Sequence, residues 1–442
     1  MNTAIIILAA GKGTRMKSQK PKVLHEVCGK SMVCHVIDTA AHVNPKKNIT
    51  VIGPNMDAVR EAVSNDSEIV VQENQLGTAD AVKPALEKLQ DFSGNIIILY
   101  ADTPLIEKNT LTKMLEKLKE SDVVVLGFIP KDAAEYGRLV VNNSGELDRI
   151  VEFKDASENE RKINLCNSGV IAAKSDVLLT QIKNIKNNNS KGEFYLTDLI
   201  ELARKDNKKC SYIEAREDEV LGVNNRVQLS EVEGILQRRL RQEAMLNGAT
   251  LIDPESVYFS YDTQIGEDVV IHPNVSFGPG VAIQNNVEIK SFCHIEGSNI
   301  ASGVVVGPFA RIRPGTDIDN DARIGNFVEI KKSKIGKGAK INHLTYIGDA
   351  EIGDKSNIGA GTVTCNYDGY NKYKTIIGKG VFVGSNSALI APIKIGDRAF
   401  IGAGSTVTKQ VEAESLAVAR NRQINKENWA KAYRKKNEDG KK

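Results

Sequence analysis

The sequence predicts an α/β layered domain over residues 1–225, a helical arm over 226–248 and a parallel β-helix with a C-terminal tail over 249–442. Changes in the spacing of apolar residues separate these parts. Short β-branched runs alternate with amphipathic segments in the first part, a helical spacing marks the second, and a six-residue period marks the third. With 442 residues the chain is long enough for more than one hydrophobic core.

The first part contains unbroken apolar runs of the kind that form strands buried on both faces of a largely parallel sheet. These runs cover residues 5–8, 49–52, 69–71, 96–99 and 123–126. Amphipathic stretches over 79–89 and 110–119 predict helices between them. Repeated alternation of strands and helices predicts an α/β domain.

The arm is predicted as one amphipathic helix that ends at Gly248. Its apolar residues recur at steps of three and four among Glu, Arg and Gln. They are Leu229, Val232, Leu236 and Leu240.

Beyond the arm, apolar residues recur every sixth position. Series with this spacing are Ile265, Ile271, Phe277, Ile283, Ile289 and Ile295, then Ile300, Val306, Ile312, Ile318, Ile324 and Ile330. Three such hexads complete one triangular coil, and stacked coils bury a continuous core. Residues 365–375 interrupt the period as an insertion, and insertions in repeat proteins commonly bind ligands.

Composition favours a soluble globular protein of the cytoplasm. The net charge of only +3 gives no reason to expect nucleic acid or a membrane surface as a partner. The apolar run at residues 4–10 is too short for a signal peptide or a membrane span. The six cysteines have no CxxC spacing, and we interpret them as reduced thiols. The basic tail at 431–442 is interpreted as a solvated end.

A glycine-containing loop follows the first strand, in the sequence LAAGKGTRM at residues 8–16. Glycines and turn amides suit phosphate binding, although GxG alone is weak evidence. Arg15 stands where a dinucleotide-binding motif would have a third glycine, and Lys22 follows Pro21. Two cations beside such a loop suit a nucleoside triphosphate that loses pyrophosphate. Lys22 alone would be interpreted as a surface lysine.

The motif LAAGKGTRM followed by PK resembles the signature of nucleotidyltransferases that act on nucleoside triphosphates and sugar 1-phosphates. Together with the six-residue repeat, the whole chain resembles the family of bifunctional N-acetylglucosamine-1-phosphate uridyltransferases/glucosamine-1-phosphate N-acetyltransferases. The resemblance implies a Rossmann-like nucleotidyltransferase domain, a left-handed β-helix and the synthesis of UDP-N-acetylglucosamine. It also implies UTP, acetyl-CoA and the two sugar phosphates as substrates, and a homotrimer formed through the β-helix.

For uridyl transfer, the resemblance implies that Arg15 and Lys22 neutralise phosphates and that Asp102 and Asn224 bind Mg²⁺. The implied nucleotide- and sugar-binding residues are Leu8, Ala9, Ala10, Gly11, Lys22, Gln72, Gly77, Thr78, Tyr100, Asp102, Gly137, Glu152, Asn167 and Asn224. An alternative role for Asp102 is to cap a following helix. Ala101 stands where the family pattern has glycine, and its methyl group is expected to crowd the nucleotide slightly.

For acetyl transfer, His343 is expected to be the general base that takes a proton from the substrate amine. The resemblance implies Arg313, Lys331, Tyr346 and Asn357 as ligands of the sugar phosphate. It implies Ala360, Asn366, Tyr367, Ser385, Ala403 and Arg420 as ligands of acetyl-CoA.

Three alternatives remain open from the sequence. The β-helix could be a passive scaffold, or an allosteric and oligomerisation domain, of an enzyme with transferase activity only in the first domain. His343, Lys331 and the insertion argue against this alternative, because a scaffold needs none of them. The enzyme could use another nucleotide or acyl donor. The whole chain could be a nucleotide-sugar sensor, against which the paired metal ligands Asp102 and Asn224 count.

Overall fold

The structure is a computed structural model that describes residues 2–133 and 135–439. The chain divides into two compact units, one that extends to Leu240 and one that begins at Arg241.

The first unit is built on strands β1 to β11. They are β1 Thr3–Leu8, β2 Glu26–Val27, β3 Lys30–Ser31, β4 Lys47–Ile52, β5 Glu68–Val71, β6 Asn95–Tyr100, β7 Val123–Phe128, β8 Arg138–Val141, β9 Leu147–Val151, β10 Cys166–Lys174 and β11 Cys210–Ala215. The main sheet has the order β11-β7-β10-β6-β1-β4-β5, and the β8–β9 hairpin joins it through β10. Only β10 runs antiparallel to its neighbours on this path, so the predicted parallel sheet carries one reversed strand inside it.

Helices of the first unit cover both faces of this sheet. They are α1 Met32–Ala41, α2 Asp57–Val63, α3 Thr78–Leu86, α4 Lys108–Lys117, α5 Glu158–Arg161, α6 Ser175–Gln181 and α7 Asp198–Lys205. Short 3-10 turns are Thr14–Met16, Lys22–Leu24, Glu87–Leu89, Ile182–Asn184 and Glu217–Glu219. Alternate residues of β1 enter two different cores, Ile6 on one face and Ile5 on the other, and both are fully buried. The unbroken apolar runs are therefore explained by burial on both sides of the sheet.

Helix α8, Arg226–Leu246, begins in the first unit and ends in the second. Its first half packs in a small core of the first unit, where Val232 is buried and Leu229 and Leu236 lie against it. In the second unit, the Arg241 side chain donates a hydrogen bond of 2.8 Å to the Val257 carbonyl oxygen. Both ends of the helix are therefore fixed within their own unit.

The second unit is a parallel β-helix with three faces. The first face contains Thr250–Leu251, Val270–Ile271, Glu288–Ile289, Val305–Val306, Arg323–Asn326, Lys340–His343, Asn357–Ile358, Phe382–Val383, Phe400–Ile401 and Leu416–Ala417. The second face contains Gln264–Ile265, Ala282–Ile283, Ser298–Ile300, Thr316–Ile318, Lys334–Ile335, Ala350–Ile352, Thr375–Ile377 and Ile393–Ile395. The third face contains Ser276–Phe277, His294–Ile295, Arg311–Ile312, Glu329–Lys331, Tyr346–Gly348, Val363–Cys365, Ala388–Ile390 and Thr406–Val407. The 3-10 turn Pro254–Ser256 precedes the regular coils.

The hexad residues form the core of this β-helix. Ile324 pairs in register with Ile341, and Ile341 with Ile358, and all three are buried. Ile265 pairs with Ile283 and Ile283 with Ile300, so successive coils differ by one residue in length, which explains the break in the period. Thr364 takes the inward position after Ile347, and its hydroxyl accepts a hydrogen bond of 2.8 Å from the Gly348 amide. A hydroxyl group with a hydrogen-bond partner can therefore occupy an inward position that is apolar in the other coils.

The C-terminal tail forms helix α9, Trp429–Asp439, in which every described residue is exposed. The sequence predicted a solvated tail but not this helix, and the last three residues lie outside the described part of the chain. No helix in residues 2–133 and 135–439 combines the length and the apolar character that a membrane crossing requires.

Candidate active sites

A cavity of about 450 Å³ lies at the carboxyl ends of β1 and β6. These strands are parallel neighbours, and Leu8 pairs with Tyr100 at their ends. Ligands of open α/β sheets bind at this edge. The cavity is lined by Leu8, Ala9, Ala10, Gly11, Lys12, Lys22, Val23, Gln72, Asn74, Gln75, Gly77, Thr78, Ala81, Tyr100, Asp102 and Glu193. Ten residues expected to bind nucleotide or sugar therefore lie together, from Leu8 to Asp102.

The two loop glycines have different roles. At Gly11, no atom lies within 4 Å of the position that a Cβ would occupy, so its backbone is open to an approaching ligand. Gly13 adopts a φ of +61°, and a Cβ there would lie 2.5 Å from the Lys22 Cβ. Gly13 therefore allows the Lys22 side chain to pass close to the loop. The 3-10 turn that follows carries Arg15.

Lys22 lies between the two oxygen ligands predicted for a metal. Its ammonium group donates hydrogen bonds to the Asp102 carboxylate and, over 3.2 Å, to the Asn224 amide oxygen. Arg15 donates to the same Asn224 oxygen over 3.1 Å. The structure thus brings Arg15, Lys22, Asp102 and Asn224 together, although they come from distant segments. The Asp102 side chain contacts Lys22 and does not cap a helix, because the next helix begins only at Lys108.

This arrangement fits a divalent cation. The Asp102 and Asn224 oxygens both contact one cationic group, and carboxylate and amide oxygens are the ligands that Mg²⁺ prefers. Among the described residues there is no group of three or more His, Cys, Asp or Glu side chains suited to a metal. Two protein ligands are sufficient where substrate phosphates complete the coordination.

The segment that follows β5 is held rigidly against the cavity. The Gln72 amide donates hydrogen bonds to the Gly77 carbonyl over 3.1 Å and to Asp80 over 2.9 Å. Gly77 has a φ of +124°, and a Cβ there would lie 2.5 Å from the Phe194 carbonyl oxygen. Thr78 accepts a hydrogen bond of 2.9 Å from the Leu196 amide. A distant loop therefore fixes this part of the wall.

Gly137, Glu152 and Asn167, which were expected to bind the sugar, lie close to one another but are not in the lining of this cavity. The Asn167 amide donates to the Gly137 carbonyl over 2.8 Å, and a Cβ on Gly137 would lie 3.5 Å from the Glu152 carboxylate. Burial raises the pKa of Glu152. Burial, with the charges of Asp102 and Glu152 adding, also raises the pKa of Tyr100. Glu152 lines a neighbouring cavity of about 500 Å³ rather than the first one.

The expectation that Ala101 crowds the nucleotide is wrong. Ala101 is fully buried, and its methyl group belongs to the core that contains Ile97 and Leu99. The side chain therefore points into the domain and is not part of the cavity lining.

On the β-helix, cationic side chains form a cluster around Lys331. The pKa of Lys331 is lowered by a hydrogen bond from Lys372 and by burial, and the charges of Lys372 and Arg313 also contribute. Asp349 acts in the opposite direction. Arg313 donates a hydrogen bond of 2.8 Å to Glu329. Clustered cations with a lowered ammonium pKa are typical of a site that binds an anion.

Tyr346 and Asn366 lie beside this cluster. A Cβ on Gly348 would lie 2.5 Å from the Tyr346 hydroxyl and 2.8 Å from the Asn366 side-chain nitrogen, so both groups close over Gly348. Lys331 pairs with Gly348 across adjacent strands. The Asn366 amide donates to Asp349 over 2.5 Å, which anchors the start of the insertion.

His343 is exposed at the end of its strand on the first face. Its Nδ1 lies 2.6 Å from the Asn326 amide oxygen on the preceding coil. Asn357 begins the next strand of the same face, where it pairs with Lys340. His343 is thus an accessible imidazole with one fixed ring nitrogen.

Three of the residues expected to bind acetyl-CoA occupy the same place in successive coils. The core residues Ile358, Val383 and Ile401 pair in register on adjacent coils. Ala360, Ser385 and Ala403 each lie two positions after one of them. Arg420 lies on the next coil, one position beyond the equivalent place, and a Cβ on Gly404 would lie 3.8 Å from it. Tyr367 lies on the insertion and is 59% exposed. The column therefore forms an open surface along the β-helix.

Sequence reasoning missed several residues at these sites. Glu193 lines the first cavity from a loop distant in sequence, and no local motif marks it. Lys372 lies in the insertion at residues 365–375, which the interrupted six-residue period had located. Its positive charge was the sequence feature that could have indicated a role beside Lys331. Asn326 and Glu329 lie one coil from His343 and Tyr346, respectively, a spacing that the hexad register provides.

Comparisons with known proteins match both units. The family of MobA-like NTP transferase domains matches residues 5–163, and the bacterial transferase hexapeptide (six repeats) matches residues 262–297 and 374–409. These matches confirm the predicted fold class, a Rossmann-like nucleotidyltransferase domain followed by a left-handed parallel β-helix of hexapeptide repeats.

Full-length relatives are also found. A protein of Paramagnetospirillum magneticum named Bifunctional protein GlmU is 51% identical over 98% of this chain and 96% of its own length. Proteins of the same name from Zymomonas mobilis and Rhodospirillum rubrum are 50% and 52% identical over 98% of this chain and 97% of their own lengths. The similarity includes both units and the segment that joins them. The chain belongs to the Bifunctional protein GlmU family.

Proposed function

We propose that the chain synthesises UDP-N-acetylglucosamine in two group transfers, one at each candidate site. The first transfers acetyl from acetyl-CoA to glucosamine 1-phosphate on the β-helix. The second transfers uridyl from UTP to N-acetylglucosamine 1-phosphate in the first unit. The observation that supports this proposal is that one chain of this family carries two separate groups of polar residues. The first unit has a cavity where the Asp102 and Asn224 oxygens contact one ammonium group, and the β-helix has a cation cluster around Lys331 and an exposed His343.

For uridyl transfer, a phosphate oxygen of the sugar phosphate attacks the α-phosphorus of UTP. The bond between the α-phosphorus and the oxygen that joins it to the β-phosphorus breaks, and pyrophosphate leaves. Such a reaction depends on positioning and charge neutralisation. Arg15 and Lys22 supply positive charge beside the loop, and the Gln72–Thr78 wall holds the base. Bound at Asp102 and Asn224, Mg²⁺ would neutralise the charge that develops on the phosphates.

For acetyl transfer, the amine nitrogen of glucosamine 1-phosphate attacks the thioester carbon. The carbon–sulfur bond breaks, and His343 takes the amine proton and passes it to the departing sulfur, so that CoA leaves as the thiol and the imidazole is regenerated. Arg313 and Lys331 would bind the phosphate, with Tyr346 and Asn357 against the sugar. Acetyl-CoA would lie along the column from Ala360 to Arg420, with Asn366 and Tyr367 at its side. The Ala360 amide would stabilise the oxyanion.

A homotrimer through the β-helix follows from this assignment. Among the residues assigned to acetyl transfer, His343, Tyr367 and Arg420 are exposed. A ligand as long as acetyl-CoA needs a second wall to exclude water, which a neighbouring subunit would supply. We assign the enzyme to the cytoplasm, where both donors are produced.

The test is mass spectrometry of the products formed by purified protein with glucosamine 1-phosphate, acetyl-CoA, UTP and Mg²⁺. UDP-N-acetylglucosamine should form only in the complete mixture. Omission of acetyl-CoA should stop the sequence at the start, and omission of UTP should leave N-acetylglucosamine 1-phosphate. A requirement for added N-acetylglucosamine 1-phosphate would leave the first unit active and reduce the β-helix to a scaffold.

A further inference from the structure

His343 has a neighbour that determines how its ring is presented. The His343 Nδ1 lies 2.6 Å from the Asn326 Oδ1, a short distance for such a hydrogen bond. Asn326 pairs with His343 in the parallel ladder of the first face, so the contact joins equivalent positions on adjacent coils. The two strands concerned, Arg323–Asn326 and Lys340–His343, are the longest of that face.

The backbone around this pair is closely packed. A Cβ on Gly325 would overlap the Asn342 carbonyl oxygen, so glycine allows the coils to approach immediately before Asn326. The Leu344 amide donates to the Asn326 carbonyl over 3.0 Å, and the Thr345 hydroxyl donates to the His343 carbonyl over 2.6 Å. The backbones of both residues are therefore fixed on either side of the contact.

The contact selects one tautomer of a neutral imidazole. An amide oxygen only accepts hydrogen bonds, so the His343 Nδ1 carries the proton and donates it to Asn326. The Nε2 then carries the lone pair, as a general base requires. Asn326 is uncharged, so it orients the ring without adding a second base to the site. A ring that rotated freely would divide its population between orientations and tautomers.

We infer that Asn326 is the positioning residue of acetyl transfer and holds His343 with Nε2 directed at the substrate amine. This inference rests on the proposed role of His343 as the base. Asn326 is not itself a catalytic residue, because its amide contacts the imidazole and not the reacting atoms. Its effect is expected in kcat for acetyl transfer rather than in the KM for glucosamine 1-phosphate.

The test compares Asn326→Leu and Asn326→Asp with the unchanged full-length protein at pH 8.5, where a free imidazole is neutral. Leucine has a similar shape but no acceptor, and kcat for acetyl transfer should fall about tenfold, the kinetic equivalent of one net hydrogen bond. Aspartate restores the acceptor and should return kcat to within about twofold. The KM for glucosamine 1-phosphate and the rate of uridyl transfer should remain unchanged. Asn299→Leu, an exposed position on another face, is the matched control.

Combination with His343→Ala separates this inference from the assignment of the base. If Asn326 acts through His343, Asn326→Leu should cause no further loss in the His343→Ala background. A normal kcat in Asn326→Leu, with kcat strongly lowered in His343→Ala, would overturn the positioning role alone. Normal acetyl transfer in His343→Ala would overturn the proposed base. A loss in Asn326→Leu that Asn326→Asp does not recover, with a lowered melting temperature, would show that Asn326 only supports the fold.

Discussion

The ion pair between Lys22 and Asp102 allows the stability of the first site to be separated from its chemistry. The two side chains are only 11% and 19% exposed, and the second partner of Lys22 is the neutral Asn224 amide at 3.2 Å. Asp102→Asn preserves the shape but leaves an ammonium group with no counter-charge in this contact. Loss of one partner of a buried pair costs about 3–5 kcal/mol. The lysine stem can carry part of the charge towards water, which reduces the expected loss to about 2 kcal/mol.

Removal of both charges should reverse most of that loss. In Asp102→Asn combined with Lys22→Met, no charge remains unpaired, and the free energy of unfolding should return to within about 1 kcal/mol of the original value. Uridyl transfer should be lost in Asp102→Asn and in the double variant, because the first lacks the carboxylate proposed to bind Mg²⁺ and the second also lacks the cation proposed to neutralise phosphate. Acetyl transfer should be retained in both.

The assay is urea unfolding of the metal-free full-length chain, with both transferase activities measured on the same preparations. An Asp102→Asn variant as stable as the original protein would refute the assignment of a stabilising ion pair. A double variant no more stable than Asp102→Asn would refute it equally. Asp102→Ala provides the activity test alone: equal loss of uridyl and acetyl transfer would show that the two reactions do not occupy separate sites.

Three further changes test other parts of the structure. His343→Ala should lower acetyl transfer by about 10²-fold and leave uridyl transfer intact; normal acetylation between pH 6 and 9 would exclude the role of base. Gly13→Ala places a methyl group 2.5 Å from the Lys22 Cβ at a φ of +61° and should raise the KM for UTP about tenfold, and an unchanged KM would contradict the packing role of Gly13. Burial beside other carboxylates raises the pKa of Asp198 to about 6, so the folded chain binds more protons than the unfolded chain between about pH 4 and 6, and stability falls as the pH rises through that window. Asp198→Asn should therefore be about 1 kcal/mol more stable than the original protein at pH 7, after allowance for solvent screening, and equally stable at pH 4. Thermal unfolding at both pH values checks this, and the same difference in stability between variant and original protein at pH 4 and pH 7 would refute it.

The sequence predicted the fold class and much of the first site because both depend on local patterns. The apolar runs identified five strands, and parallel strands place their carboxyl ends at one edge, where the loop at Gly11 and the carboxylate of Asp102 meet. It did not predict β10, which is not among the five runs, and an apolar run would not have revealed its reversed direction, because a buried antiparallel strand has the same apolar pattern as a parallel one. Glu193 was missed for a related reason: long-range packing brings its loop to the cavity.

Individual side chains were harder to predict than the elements that carry them. The loop glycines were expected to admit phosphate, yet Gly13 accommodates Lys22, a contact that depends on a neighbour nine residues away. Ala101 was expected to face the nucleotide, and the pleat of the strand end turns it into the core. A one-residue change in strand register reverses the direction of a side chain, which the apolar pattern of a strand buried on both faces does not reveal.

In the β-helix, the sequence contains more information about the site than motif searching extracts. Residues that touch on adjacent coils are separated by one coil length, so Asn326 contacts His343 and Lys331 pairs with Gly348, although neither pair forms a short motif. Once the hexads establish the coil length, the neighbour of any residue follows by counting back one coil. The same count fails across the insertion, where Lys372 reaches Lys331 from a loop that no period constrains. The periodic part of such a site is therefore predictable from sequence at the level of residue pairs, and the inserted part requires the structure.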